Sequence, residues 1–150
     1  MADVSGIIIR KAETADAAEM EKIEKTAENY PAWGAREFVK DMANRVSNMF
    51  VAEQDGKMTG FINFWIVGGQ AQLNGIAVRG EMTKRGIGGL LLKKMLESAK
   101  ESGCSEAVLE VEETNLPAIR LYSKFGFKKA GTRPKFYDNT GNAVLMRAEI

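Results

Sequence analysis

Hydrophobic and polar positions alternate between two periods along the chain, and the switches mark its elements. GIIIRKA (6–12) is a β-branched run that suits a short strand. DAAEMEKIEKTAE follows, with Met20, Ile23 and Ala27 on one helical face and Asp16 and Glu19 spaced as a capping box. YPAWGAREFVKDMANRV breaks at Pro31 and Gly34, then resumes a helical period through Phe38, Met42 and Val46. MFVAEQDGKMTGFINFWIV reads as strand, Asp55-Gly56 turn and strand. After Gly68-Gly69 comes AQLNGIAV (71–78), a strand with Asn74-Gly75 in its interior, where glycine signals a bulge or a close backbone approach.

Gly86 to Ser102 has the period of an amphipathic helix closed by Gly103, and EAVLEV (106–111) is the next strand. NLPAIRLYSKFGF predicts a helix with Asn115 as N-cap and Pro117 in its first turn, ending at Gly126. FKKAGTR and NAVLMRAEI then pair across a turn at Asp138 to Asn142. The predicted order is βααβββαβαββ: a mixed α/β fold with one sheet flanked by helices. A length of 150 residues fits a single domain and one substantial core.

Composition narrows the chemistry. Lys and Arg number 21 against 20 Asp and Glu, so no global charge points to nucleic acid or to a membrane surface. Residues 1–75 carry 8 basic and 11 acidic side chains, and residues 76–150 carry 13 and 9, so the cationic half suits a small anionic ligand. Cys104 is the single cysteine, which excludes an intramolecular disulfide. The N-terminus lacks the order of a signal peptide, and FINFWIV falls far short of the ~20 residues that span a bilayer. A cytoplasmic setting is expected. Histidine is missing altogether, which removes the Ser-His-Asp triad and makes a metal site improbable. Carboxylates, tyrosine, lysine and backbone groups are left to carry any reaction.

MTKRGIGGLLLKKML (82–96) places Lys84, Arg85, Gly86, Ile87, Gly88 and Gly89 at the start of a helix. The first backbone N–H groups there lack intrahelical partners, and the helix dipole adds about half a positive charge, so the pattern suits an anion such as phosphate. A P-loop would need Lys followed by Ser or Thr after its last glycine, and the dinucleotide fingerprint would need glycine at Leu91. Neither spacing is met. The competing reading is that these glycines only allow close helix packing.

GIAV, KRGIGGLLL, LEV, NLPAIRLY and FGF, in this order, resemble the GCN5-related N-acetyltransferase superfamily, and nearest within it the ribosomal-protein-alanine N-acetyltransferase branch. The resemblance covers nearly the whole chain and implies an acyl-CoA N-acyltransferase fold with a central splayed sheet. It implies acetyl-CoA as cosubstrate and no metal. Backbone groups at Ile76, Ala77 and Val78 would bind the pantetheine arm and acetyl carbonyl. Residues Lys84 to Gly89 would hold the pyrophosphate, and Asn115 would contact the cofactor arm. Thr83 departs from the usual Gln or Arg of that loop.

Acetyl transfer to an amine needs a base, an oxyanion donor and an acid for the thiolate. By the same resemblance these are Glu110, the backbone N–H near Val78, and Tyr122. Each side chain has a plainer reading beside that one. Glu110 alternates with Leu109 and Val111, as any outward strand glutamate would, and Tyr122 is spaced with Ile119 and Phe125 as a core residue. An α-amino group of pKa ~8 is roughly one-tenth neutral at pH 7, against about one in two to three thousand for lysine. The expected acceptor is therefore a protein N-terminus, such as that of a ribosomal protein. A small amine, or a weakly catalytic CoA-binding sensor domain, is the alternative. Tyr30, Trp33 and Tyr137 are candidate walls of the acceptor groove, with core packing as the rival reading, and Glu112 with Glu113 is a candidate to attract a cationic substrate, with solvated charge as the rival.

Overall fold

Seven strands form one sheet in the order β1-β2-β3-β4-β5-β7-β6. The computed structural model describes residues 6–26, 33–80, 86–134 and 141–150. Strands β1 (Ile8–Lys11), β2 (Ser47–Gln54), β3 (Lys57–Val67) and β4 (Gln70–Val78) make an antiparallel meander. Its tight turns are where positive φ is available: Asp55 and Gly56 stand at 53° and 77°, and Gly68 and Gly69 at 56° and 79°. Two consecutive residues of that hand match the strand twist.

β5 (Glu106–Glu112) lies parallel to β4, which requires a crossover, supplied by α3 (Ile87–Glu101). After α4 (Leu116–Lys124), β6 (Lys128–Arg133) and β7 (Ala143–Glu149) return as an antiparallel pair, with β7 inserted between β5 and β6. With α1 (Ala17–Glu24) and α2 (Ala35–Met42), the element order is the one the hydrophobic pattern predicts.

Each sheet face has its own core. On one, Ile62, Phe64, Leu91, Leu92, Met95, Leu109 and Phe127 pack with α3 and α4. On the other, Met20, Ile23, Phe38, Met49, Val51 and Phe61 pack with α1 and α2. β4 and β5 pair over three residues, Gln70–Glu106, Ala71–Ala107 and Gln72–Val108.

The start of α1 differs from the expected pattern. Asp16 and Glu19 do not cap α1 together. Asp16 instead accepts the Glu13 N–H at 2.7 Å and a two-point bond from Arg10, and Glu19 pairs with Arg79. The Arg10 guanidinium, hydrogen-bonded to Asp16, holds that carboxyl below its ordinary range. The cap of α2 comes from α1: Glu24 accepts the N–H groups of Trp33 and Gly34, and Glu21 accepts that of Ala35. Carboxylates suit this position, where N–H groups lack partners. α2 stops at Met42, and Val46 precedes β2.

Candidate active site

The predicted interruption of β4 is a bulge. Asn63 pairs with Gly75 and Phe64 with Leu73, which leaves Asn74 as the extra residue. Beyond Gln72 and Val108 the register of β4 and β5 ends, so the strands part beside Ile76, Ala77 and Val78. Ile76 and Val78 are half-buried and Ala77 is buried. β3 approaches these residues through Gly60. A Cβ at Gly60 would stand 2.7 Å from the Ala77 carbonyl oxygen and 3.3 Å from the Val78 Cα.

Gly86 is the N-cap of α3, with φ of 81° in the left-handed region, and Ile87 is buried in the core. Ile87 can therefore offer a ligand its backbone alone. Gly88 and Gly89 face α4. A Cβ on Gly88 would lie 3.2 Å from Leu121, and one on Gly89 would lie 3.4 Å from the Phe125 ring. Close helix packing accounts for both, alongside any role toward an anion. Lys84, Arg85 and Thr83 lie outside the described residues, as do Tyr30 and Tyr137.

Glu110 faces away from α3 and α4, since Ala107, Leu109 and Val111 take the core side of β5. It lines a cleft of about 720 Å³ with Gln72, Asn74, Val108, Arg133 and Leu145. The Arg133 guanidinium pairs with Glu110 Oε1 at 2.9 Å. At the far end, Glu106 is bonded by Arg147, which holds its carboxyl below the ordinary range. No motif marks Arg133 or Gln72 in the sequence, and strand pairing alone brings them to Glu110.

Tyr122 stands on the opposite side of the sheet. It is buried on α4, edge-on to Phe127 with ring centroids 6.0 Å apart. The structure thus sets Glu110 and Tyr122 on the two faces that border the wedge between β4 and β5. Asn115 caps α4, its Oδ1 accepting the Ala118 N–H at 3.3 Å. Glu112 is half-buried beside Gly141. Trp33 stacks on Phe38 at 5.7 Å and lines a separate cleft beside α2. Cys104 is buried, and burial pushes its thiol up, away from nucleophilic use. Among the described residues no cluster of three or more carboxylate or thiol side chains is placed to hold a metal ion. Nor, among those residues, is any helix long and apolar enough to cross a membrane.

Known proteins match this frame. Residues 13–127 match the Acetyltransferase (GNAT) family. The chain belongs to the GNAT acetyltransferase family. It is 32% identical to the [Ribosomal protein bS18]-alanine N-acetyltransferase of Escherichia coli (strain K12), over 95% of this chain and 97% of that one. It is 34% identical to the N-alpha-acetyltransferase of Sulfurisphaera tokodaii, over 95% and 92%. The crystal structure of the Escherichia coli ribosomal-protein-S18-alanine N-acetyltransferase superposes with a TM-score of 0.88 at 30% identity, covering 96% and 94%. This GNAT protein is thus an N-acetyltransferase, and acetyl-CoA is the cosubstrate of its family. The residues fit that group: the β4–β5 wedge exposes strand backbone beside Val78, and the α3 start presents N–H groups behind a left-handed glycine.

Proposed function

We propose that this GNAT enzyme acetylates the α-amino group of a protein N-terminus, with Glu110 and Tyr122 as its proton-handling residues. The observation that carries the acceptor is similarity over 92% or more of both chains to two relatives, one named a [Ribosomal protein bS18]-alanine N-acetyltransferase and the other an N-alpha-acetyltransferase. The cleft before Glu110 supports it, since its lining runs from Glu106 to Glu110 on β5 and from Leu145 to Arg147 on β7.

Bound acetyl-CoA supplies a thioester carbonyl, and transfer forms an amide bond as the carbon–sulfur bond breaks. The chain's own groups handle charge and protons. Glu110 takes a proton from the acceptor ammonium, directly or through one water, and so releases a neutral amine. For this the Arg133 pair must open or stay on the other oxygen. The Val78 N–H donates toward the carbonyl oxygen, where negative charge develops. The Tyr122 hydroxyl gives a proton to the departing sulfur. Lys84 to Gly89 hold the pyrophosphate and Asn115 orients the arm, while Tyr30, Trp33, Glu112 and Tyr137 border the acceptor.

The test is mass spectrometry of peptides with different N-termini, beside polyamines and free amino acids, after incubation with acetyl-CoA. Acetylated peptide α-amines are expected. Inert peptides beside reactive polyamines would overturn this reading in favour of a small-amine enzyme. Calorimetric binding of CoA without turnover of any amine would favour a sensor.

A further inference from the structure

A second cleft, of about 560 Å³, opens beside α2 and is lined by Trp33, Glu37, Lys40, Asp41, Asn44 and Trp65. It holds both tryptophans of the chain. Asp41 is buried at its base. The Ser47 hydroxyl donates to Asp41 Oδ2 at 2.6 Å, and the Trp65 indole N–H donates to the same oxygen at 3.2 Å. Among the described residues no cation pairs with this carboxylate. A buried carboxylate bonded only by neutral donors is favoured by a cation brought beside it. Tryptophan faces attract cations, and Glu37 adds a second carboxylate at the rim. Lys40 is exposed and is the lining's one cation.

The cleft's position gives it a partner in the reaction. Trp65 pairs across β3 and β4 with Gln72, and Gln72 pairs with Val108 of β5, so all three share the face that carries Glu110. Gln72 lines the Glu110 cleft and Trp65 the second one, so this cross-strand pair has one member in each. Strand spacing and rise put Trp65 roughly 12 Å from Glu110 along the sheet. That is the reach of the second or third residue of an extended acceptor, at about 3.3 Å per residue plus its side chain.

We propose that the Trp33–Trp65–Asp41 cleft is a subsite for an alkylammonium or guanidinium group, supplied by a basic side chain at the second or third acceptor residue. The peptide source rests on the function proposed above; the cation chemistry does not. Because both tryptophans line the cleft, intrinsic fluorescence reports it directly. Titration with n-butylammonium is expected to give a saturable change that n-butanol does not. Binding should weaken about 10-fold in Glu37→Gln/Asp41→Asn. Glu37→Gln alone, on the exposed rim, gives a partial loss if the double variant fails to fold. In kinetics, a peptide with lysine at the second or third residue should exceed its norleucine counterpart in kcat/KM by about 10-fold, and the double variant should lose that preference.

Equal responses to the amine and the alcohol would overturn the subsite. Acetylated peptides without a basic preference would also overturn it, and would leave the N-terminal reading intact. Inert peptides beside a polyamine whose turnover depends on Asp41 would sustain the subsite and refute the peptide source.

Discussion

Replacing Gly60 by alanine tests whether β3 and β4 are held in register at the wedge by a missing side chain. The new Cβ would sit 2.7 Å from the Ala77 carbonyl oxygen, with Leu91 Cδ1 and Val78 Cα each at 3.3 Å. Ordinary contact requires the oxygen to retreat by roughly half an ångström, and two of the three obstructing atoms are backbone. Overpacking of this kind costs about 1–3 kcal/mol. For a domain of this size that is a melting temperature lower by roughly 2–12 °C. The same shift carries the Val78 N–H away from the proposed oxyanion position, so kcat should fall by about 10-fold. Thermal melts and steady-state kinetics with acetyl-CoA check both effects. Gly80→Ala is the control, since a Cβ there meets nothing within 4 Å. A Gly60→Ala melt within a degree of the parent, with unchanged kcat, would refute the reasoning.

Three further outcomes are expected. Tyr122→Phe lowers kcat by ~10²-fold or more and leaves CoA binding by calorimetry nearly unchanged; undiminished turnover removes Tyr122 as the acid. Asn63 is fully buried with neither carboxamide heteroatom hydrogen-bonded among the described residues, so Asn63→Leu should raise stability by ~1–3 kcal/mol in urea unfolding. A loss instead would reveal a bound water or ligand at the bulge. Asp16 has its folded pKa below its unfolded one, so it stabilises the fold above the ordinary carboxylate range and loses that contribution as pH falls through the folded pKa. Unfolding midpoints of Asp16→Asn between pH 2 and 7 should accordingly show a shallower acid limb than the parent.

What the sequence made legible was local. Asp55-Gly56 and Gly68-Gly69 declared their turns because few residue pairs tolerate positive φ twice in succession, and Asn74-Gly75 declared the bulge for a related reason. Strand alternation sets Glu110 opposite Leu109 and Val111, and those two are in the core. Pairing across distant segments was not legible. Arg133 reaches Glu110 because β7 sits between their strands, and Asp41 meets Trp65 because α2 lies over β3. Gly60 resembled any glycine in an apolar run, since what it avoids lies on another strand. The capping of α2 by Glu21 and Glu24 was hidden likewise: each has helical spacing in α1, and nothing local says that its carboxylate serves the next helix. Asn63 did leave a signal, a lone amide inside FINFWIV.

The three-pair seam between β4 and β5 makes the sheet two panels joined along a short line. A meander and a three-stranded panel each keep long ladders of their own, so sideways cohesion of the molecule is concentrated in a few rungs and in the crossover helix. Any ligand that fills the wedge adds rungs where the ladder stops, and by mass action it strengthens the join in proportion to its occupancy. Occupancy can then be followed without any reaction, as slowing of amide proton exchange at residues 76–78 in the intact chain.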